Sequence, residues 1–173
     1  MLLTEAISLI ASTRIKSDQP QIWADFGAGD GLFSFALADL LCPGSTIYAV
    51  DKTDVKLRSE KTNCTAVIQV IADFEKHDLS IPLLNGFIAA NALHFIADQK
   101  TCIKRLVQLC KPSAHFIIVE YDTLSAGRWI PFPLPFSVLR KIVEQTTTGK
   151  IHRLGNMKSK YNSSDIYAAI VSI

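Results

Sequence analysis

Leu3, Ile7, Ile10 and Ala11 recur at the spacing of one helix face, so residues 3–15 read as an amphipathic helix. The polar run "KSDQP" then turns the chain. "QIWADF" (21–26) is a short apolar strand, and "GLFSFALADLLC" (31–42) is a helix closed by Pro43 and Gly44. A second strand, "STIYAVD" (45–51), precedes a polar helix over 53–61 and a third strand, "TAVIQVIA" (65–72). "GFIAAN" (86–91) is the fourth strand. Asp98 is placed to cap a helix running to Cys110, and "AHFIIVEYD" (114–122) is the fifth strand. The second, third and fifth strands are continuous apolar runs, the pattern of parallel strands buried on both faces. Strand and helix alternate, which predicts a doubly wound α/β sheet.

Beyond residue 122 the rhythm changes. Pro131, Pro133 and Pro135 exclude regular structure from the middle of "LSAGRWIPFPLPF", whereas "FSVLRKIVEQTT" (136–147) returns to helix. "KIHRLG" (150–155) and "DIYAAIVSI" (165–173) are strands joined by a loop too short for a crossover helix. They are expected to pair antiparallel, finishing a seven-stranded, mostly parallel sheet with a hairpin. A length of 173 residues suits one domain spanning 1–173, with an N-terminal helical segment over 1–19 and a lid segment over 122–136.

The formal charge of +2 is too mild to point to nucleic acid or an anionic membrane surface. Cys42, Cys64, Cys102 and Cys110 form no close-spaced zinc or redox pair, and they read as reduced thiols of a cytoplasmic protein. His77, His94, His115 and His152 are scattered, so no metal site is expected. "LTEAISLIASTR" carries Glu5 early and lacks the apolar run of a signal peptide, and no stretch is long enough to insert in a bilayer.

The chemistry concentrates in "ADFGAGDGLFSFALADLL" (24–41), where Gly27, Gly29 and Gly31 alternate behind Asp25. Glycine there predicts a strand-to-helix turn whose backbone N–H groups a ligand approaches closely. Dinucleotide folds use G-x-G-x-x-G, and Leu32 occupies the third glycine's place, which argues against a dinucleotide oxidoreductase. Asp51 ends the second strand, where a carboxylate can accept both hydroxyls of a ribose or cap the following helix. Asp73 can accept from an exocyclic amine, Phe74 offers an apolar wall, and Asn91 ends the fourth strand.

"DFGAGDG" resembles the first motif of class I S-adenosylmethionine-dependent methyltransferases, in the small-molecule branch that includes quinone-biosynthesis enzymes. "YAVDK", "ADF", "NALHFI" and "LCKPSAHFIIVEYD" match its later motifs in order over residues 20–122, and the terminal hairpin matches its topology. Ser113-Ala114 departs from the Gly-Gly pair common there. The resemblance implies S-adenosylmethionine as cofactor, held by Asp25, Gly27, Ala28, Gly29, Gly31, Asp51, Lys52, Asp73, Phe74 and Asn91. It implies a small, partly apolar methyl acceptor, with nucleic acid an unlikely partner.

Methyl transfer is largely a positioning problem, and orientation can supply about 7–11 kcal/mol. His94 is the first candidate base and Tyr121 the second, both expected at the mouth of the cleft. Trp129 and Phe132 are expected as walls of the lid, with Tyr161, Lys158 and Lys160 reaching the acceptor from the last loop. Two other readings stay open: a non-catalytic protein of the same fold that binds cofactor or partner, and an RNA or protein methyltransferase using the basic cluster from Lys150 to Lys160.

Overall fold

Trp23 and Ala24 leave one strand on opposite sides, and that alternation organises the layers. In the computed structural model, which describes residues 1–159 and 164–173, the strands are β1 (Ile22–Phe26), β2 (Thr46–Asp51), β3 (Ala66–Ile71), β4 (Leu84–Ala90), β5 (Cys110–Tyr121), β6 (Lys150–Lys158) and β7 (Asp165–Ser172). They form a seven-stranded sheet in the order β3-β2-β1-β4-β5-β7-β6. The first five pair in parallel, and β7 runs antiparallel between β5 and β6. This is the doubly wound α/β sheet with a terminal hairpin that the pattern predicts.

Four helices cover the sheet: α1 (Leu3–Ile10), α2 (Leu32–Leu40), α3 (Gln99–Gln108) and α4 (Phe136–Thr146). Trp23, Ile47, Ile88, Ile117 and Ile170 pack with Ile10 of α1 and Leu37 of α2 on one face. Adjacent residues on these strands, among them Ala24, Phe87, Phe116, Ile118 and Ala169, pack with Leu106 of α3 and Leu139 of α4 on the other. The period of two along a strand thus divides the chain's apolar residues between two cores. Each fully buried large side chain contributes roughly 1.5–3 kcal/mol.

Some elements differ from expectation. Residues 53–61 form no helix. Val55 and Leu57, two positions apart, would lie on opposite sides of one, leaving no stripe to bury. Instead the segment is tied down by polar contacts: Arg58 lies on Asp30 at 2.6 Å, and the Gln69 amide donates to the Val55 carbonyl at 2.8 Å. The first helix ends at Ile10, because Ser12 accepts from the Arg14 N–H and starts a separate 3-10 turn at Thr13–Ile15. The third strand is not buried on both faces: β3 is the sheet edge, with Ile68 and Ile71 exposed. Ser113, at the family's glycine position, takes the left-handed conformation (φ 65°) that glycine adopts without strain.

Candidate functional site

Strand order reverses between β1 and β4, so the two chains leave the sheet in opposite directions and open a crevice at its carboxyl edge. A cleft of about 320 Å³ lies there, floored by Gly27, Asn91 and Ala92 and rimmed by Asp51, Lys52, Asp73 and Phe74. Glu75, Lys76, Phe95 and Ile96 complete the lining. Six of the predicted cofactor residues therefore come together in one crevice: Gly27, Asp51, Lys52, Asp73, Phe74 and Asn91.

The three glycines all have positive φ, yet they serve different ends. A Cβ on Gly27 would sit 2.5 Å from the Ala92 Cβ, and one on Gly31 would sit 3.1 Å from Leu57. Gly27 is required by the protein's own packing, whereas at Gly31 the Leu57 side chain would have to give by a few tenths of an ångström. A Cβ on Gly29 would meet nothing within 4 Å. The expectation that the turn offers its backbone N–H groups to a ligand needs correction. Gly27 and Ala28 donate to the Val50 carbonyl (2.8 and 3.1 Å), Gly31 donates to Ala28 (2.9 Å), and Gly29 donates to the Asp51 Oδ2 (2.9 Å). The turn is folded onto the end of β2, which leaves carboxylates rather than amides to meet a ligand.

Asp51 is fixed from both sides, because Oδ1 accepts from the backbone N–H and hydroxyl of Thr53 at 3.0 and 2.7 Å. With no helix after it, its capping alternative becomes this local turn. Partial burial works against its charge, but the bonds from Thr53 and Gly29 outweigh that and hold it below the usual carboxylate range. Asp73 is treated alike: burial opposes its charge, while the Glu75 N–H and the Lys76 ammonium prevail and lower it. Phe74 rests on Phe26, ring centroids 5.6 Å apart.

Asp25 lies below the cleft floor, buried, with Oδ2 accepting from the Ser34 hydroxyl at 2.7 Å. Desolvation pushes its carboxyl up to about 7, against the lowering effect of Ser34. Its Oδ1, like the Asn91 Oδ1, is enclosed without a hydrogen-bond partner. Asn91 holds a left-handed conformation (φ 51°), anchored by its N–H to the Val119 carbonyl.

The predicted acceptor residues stand apart from this lining. His94 is in the 3-10 turn Leu93–Phe95 after β4, only 3% exposed, with its ring 4.2 Å from that of Phe95 and 5.9 Å from that of Tyr121. Tyr121 is half-buried at the end of β5. The 122–136 segment is clamped at its base, where Asp122 accepts from the Phe136 N–H and from Arg153. Gly127 and Ile130 exchange two backbone bonds across a tight turn that presents Trp129, 77% exposed. Phe132 is tied by its N–H to the His94 carbonyl. Neither aromatic lines the cleft. Lys160 and Tyr161 lie outside the described residues, and Lys158 pairs with Asp165.

A family model described as a methyltransferase domain matches residues 24–118, from the glycine turn into β5. The chain belongs to that family. No curated protein matches it significantly. Solved structures share its fold at low identity. One is the YcgJ protein of Bacillus subtilis (11% identity, TM-score 0.71, covering 98% of both chains). A second is the N-methyltransferase NodS of Bradyrhizobium japonicum with S-adenosylhomocysteine (14%, 0.68, 98% of this chain and 84% of that one). A third is the 1,6-didemethyltoxoflavin-N1-methyltransferase of Burkholderia thailandensis, also with S-adenosylhomocysteine (16%, 0.65, 89% and 71%). S-adenosylmethionine is the cofactor of this fold.

The donor set of this methyltransferase suits that molecule. A sulfonium, an ammonium, two ribose hydroxyls and an adenine amine together ask for negative charge and acceptors. The cleft presents Asp51, Asp73 and Asn91, with Asp25 beneath them. The enclosed, unpartnered oxygens of Asp25 and Asn91 leave hydrogen-bonding capacity unmet in this part of the molecule. Sequence reasoning missed Ala92, Phe95 and Ile96, whose only signal is that they follow Asn91 in "NALHFI". It also missed Glu75 and Lys76, which are ordinary surface residues until Arg105 clasps the 75–78 segment through the Glu75 and His77 carbonyls. Among the described residues no cluster could hold a metal ion, and no helix is long and apolar enough to cross a membrane.

Proposed function

We propose that this methyltransferase uses S-adenosylmethionine to methylate a small, partly apolar acceptor in the cytoplasm. The observation that carries the reading is the cleft itself: two aspartates and an asparagine with an unpartnered oxygen around Gly27 at the strand-order switch, with Asp25 buried beneath. Asp51 takes the ribose hydroxyls, Asp73 the adenine amine, and Phe74 the flat of the base. Asn91 and, through the cleft floor, Asp25 serve the charged methionine end. Lys52 borders the ribose, and the turn of Gly27, Ala28, Gly29 and Gly31 shapes the floor. When bound, the cofactor supplies a methyl group already activated by a positive sulfur. What the chain contributes is orientation and exclusion of water.

The acceptor side is the apolar rim of Phe95 and Ile96, with Phe132 and Trp129 on the neighbouring segment available to cover a bound molecule. Motif likeness to the quinone-biosynthesis branch favours a ring-bearing acceptor. A nucleic-acid acceptor is disfavoured because the net charge is only +2 and two cations of the short basic run after residue 150 have acidic partners, Arg153 with Asp122 and Lys158 with Asp165. Phenols, amines and short RNAs, assayed for S-adenosylhomocysteine release, test the acceptor class. Turnover of small molecules without RNA is expected, and turnover confined to RNA would contradict the reading.

A further inference from the structure

Residues 72–83 lead from β3 to β4 without a helix, although a connection between parallel strands ordinarily carries one. Their backbone polar groups therefore need partners outside a helical ladder. A turn around Asp73 meets part of that need. The Asp73 carbonyl accepts from the Lys76 and His77 N–H groups (3.0 and 2.8 Å), and its Oδ1 accepts from the Glu75 N–H (3.1 Å). Its own N–H donates to His77 Nδ1 at 3.1 Å. The direction in which the Asp73 carboxylate points is thus a property of this turn. The Glu75 and His77 carbonyls are taken by one side chain from another element. Arg105 of α3 donates from Nη1 to Glu75 (2.5 Å) and from Nη2 to His77, and Nη2 also reaches Asp78 Oδ1 at 3.1 Å. Asp78 is fully exposed, so that ion pair is worth little. The carbonyl bonds differ, because a guanidinium is a planar fork that meets both at once, whereas a lysine ammonium is a single point of charge. Phe74, Leu79 and Ile81 seat the segment on the core, and Arg105 fixes the path of the turn between Phe74 and Leu79.

We propose that Arg105 is a positioning residue that gives the cleft its preference for adenine over a 6-oxopurine, by fixing where the Asp73 carboxylate stands. The inference rests on the reading above in which Asp73 takes the adenine amine. Asp73, Phe74, Glu75 and Lys76 line the cleft and Arg105 does not, so Arg105 acts through the turn. An exocyclic amine donates to a carboxylate. A 6-oxo group instead turns a second acceptor toward it and leaves the carboxylate without that bond. The contrast holds only while the carboxylate is kept in place. A turn free to swing lets water pair with Asp73 and tolerates either base.

The test is calorimetric titration of S-adenosylhomocysteine and of S-inosylhomocysteine, its 6-oxo counterpart, into the full chain. The wild type is expected to favour the adenine ligand at least about tenfold, and Arg105→Lys and Arg105→Met to bring that ratio to within about threefold of unity. Asp78→Ala, which removes only the exposed ion pair, should keep the wild-type ratio. Urea unfolding checks that each variant is folded. A wild-type ratio in either folded Arg105 variant overturns the inference. Equal weakening of both ligands overturns it too, since that is the mark of a role in stability alone. Asp73→Asn separates the inference from the reading beneath it. An unchanged ratio in that variant, or a wild type that binds both ligands alike, overturns the assignment of Asp73 to the amine and the inference with it. Failure of the wild type to bind S-adenosylhomocysteine overturns the cofactor reading as well.

Discussion

The rim over β1 to β3 and the mouth over β4 and β5 are built by opposite means. At the rim, carboxylates face the cleft and are steadied by short-range donors: Thr53 and Gly29 for Asp51, Glu75 for Asp73. At the mouth, Glu120 is sealed from water, and its partner His94 is 26 positions away in the chain. A rim of this kind stays charged and preorganised in solvent, which suits recognition of a cation with many donors. A sealed pair beside aromatic rings gains strength from the exclusion of water and holds the ends of β4 and β5 together. Exposed and sealed carboxylates thus occupy different dielectric surroundings in neighbouring parts of the sheet's carboxyl edge.

The largest effect that can separate the two regions is at their seam, where Gly27 meets Ala92. Gly27→Val forces a side chain into a left-handed position and onto the Ala92 Cβ. A loss of about 4–5 kcal/mol or failure to fold is expected by chemical denaturation. Gly29→Ala meets no atom and should lose only about 1 kcal/mol, the strain of its positive φ. If the two variants are equally stable, the division of labour among the glycines is mistaken.

Asp25 gives a pH signature that the exposed rim acids lack. Its folded-state value is raised, to about 7, so the folded protein binds a proton that the unfolded chain releases near pH 4. The stability it adds is complete below pH 4 and is lost as pH rises to about 7, an effect on the order of 4 kcal/mol. Unfolding free energies measured from pH 4 to 8 should fall for the wild type and fall less for Asp25→Asn. Identical slopes would mean that no charge is being buried there.

The difference between the regions also explains what the sequence made legible. Asp51, Asp73 and the glycine turn sit in short motifs at strand ends, so alternation and spacing suffice to find them. The doubly wound sheet follows from the alternation of strand and helix, whereas its strand order is visible only in the structure. The Glu120–His94 pairing is invisible to any local pattern, since it depends on β4 and β5 lying side by side and on both chains ending at one level. The 122–136 segment, rich in proline and aromatics, is held at its base by Asp122, which accepts from Phe136 and Arg153, and Trp129 on it does not line the cleft. The failed helix at 53–61 teaches a related lesson. Its polarity permits a surface helix, but Arg58 is held by Asp30 of the glycine turn and the segment takes no regular structure.

Calorimetric titration of S-adenosylhomocysteine into the wild type and Asp51→Ala tests most directly the claim that the aspartate-rimmed cleft is the cofactor site. Hydrogen bonds to a charged acceptor are each worth roughly 1.5–3 kcal/mol, so removing the carboxylate should weaken binding at least tenfold while circular dichroism stays that of the folded wild type. An unchanged dissociation constant in a folded Asp51→Ala protein would contradict the account.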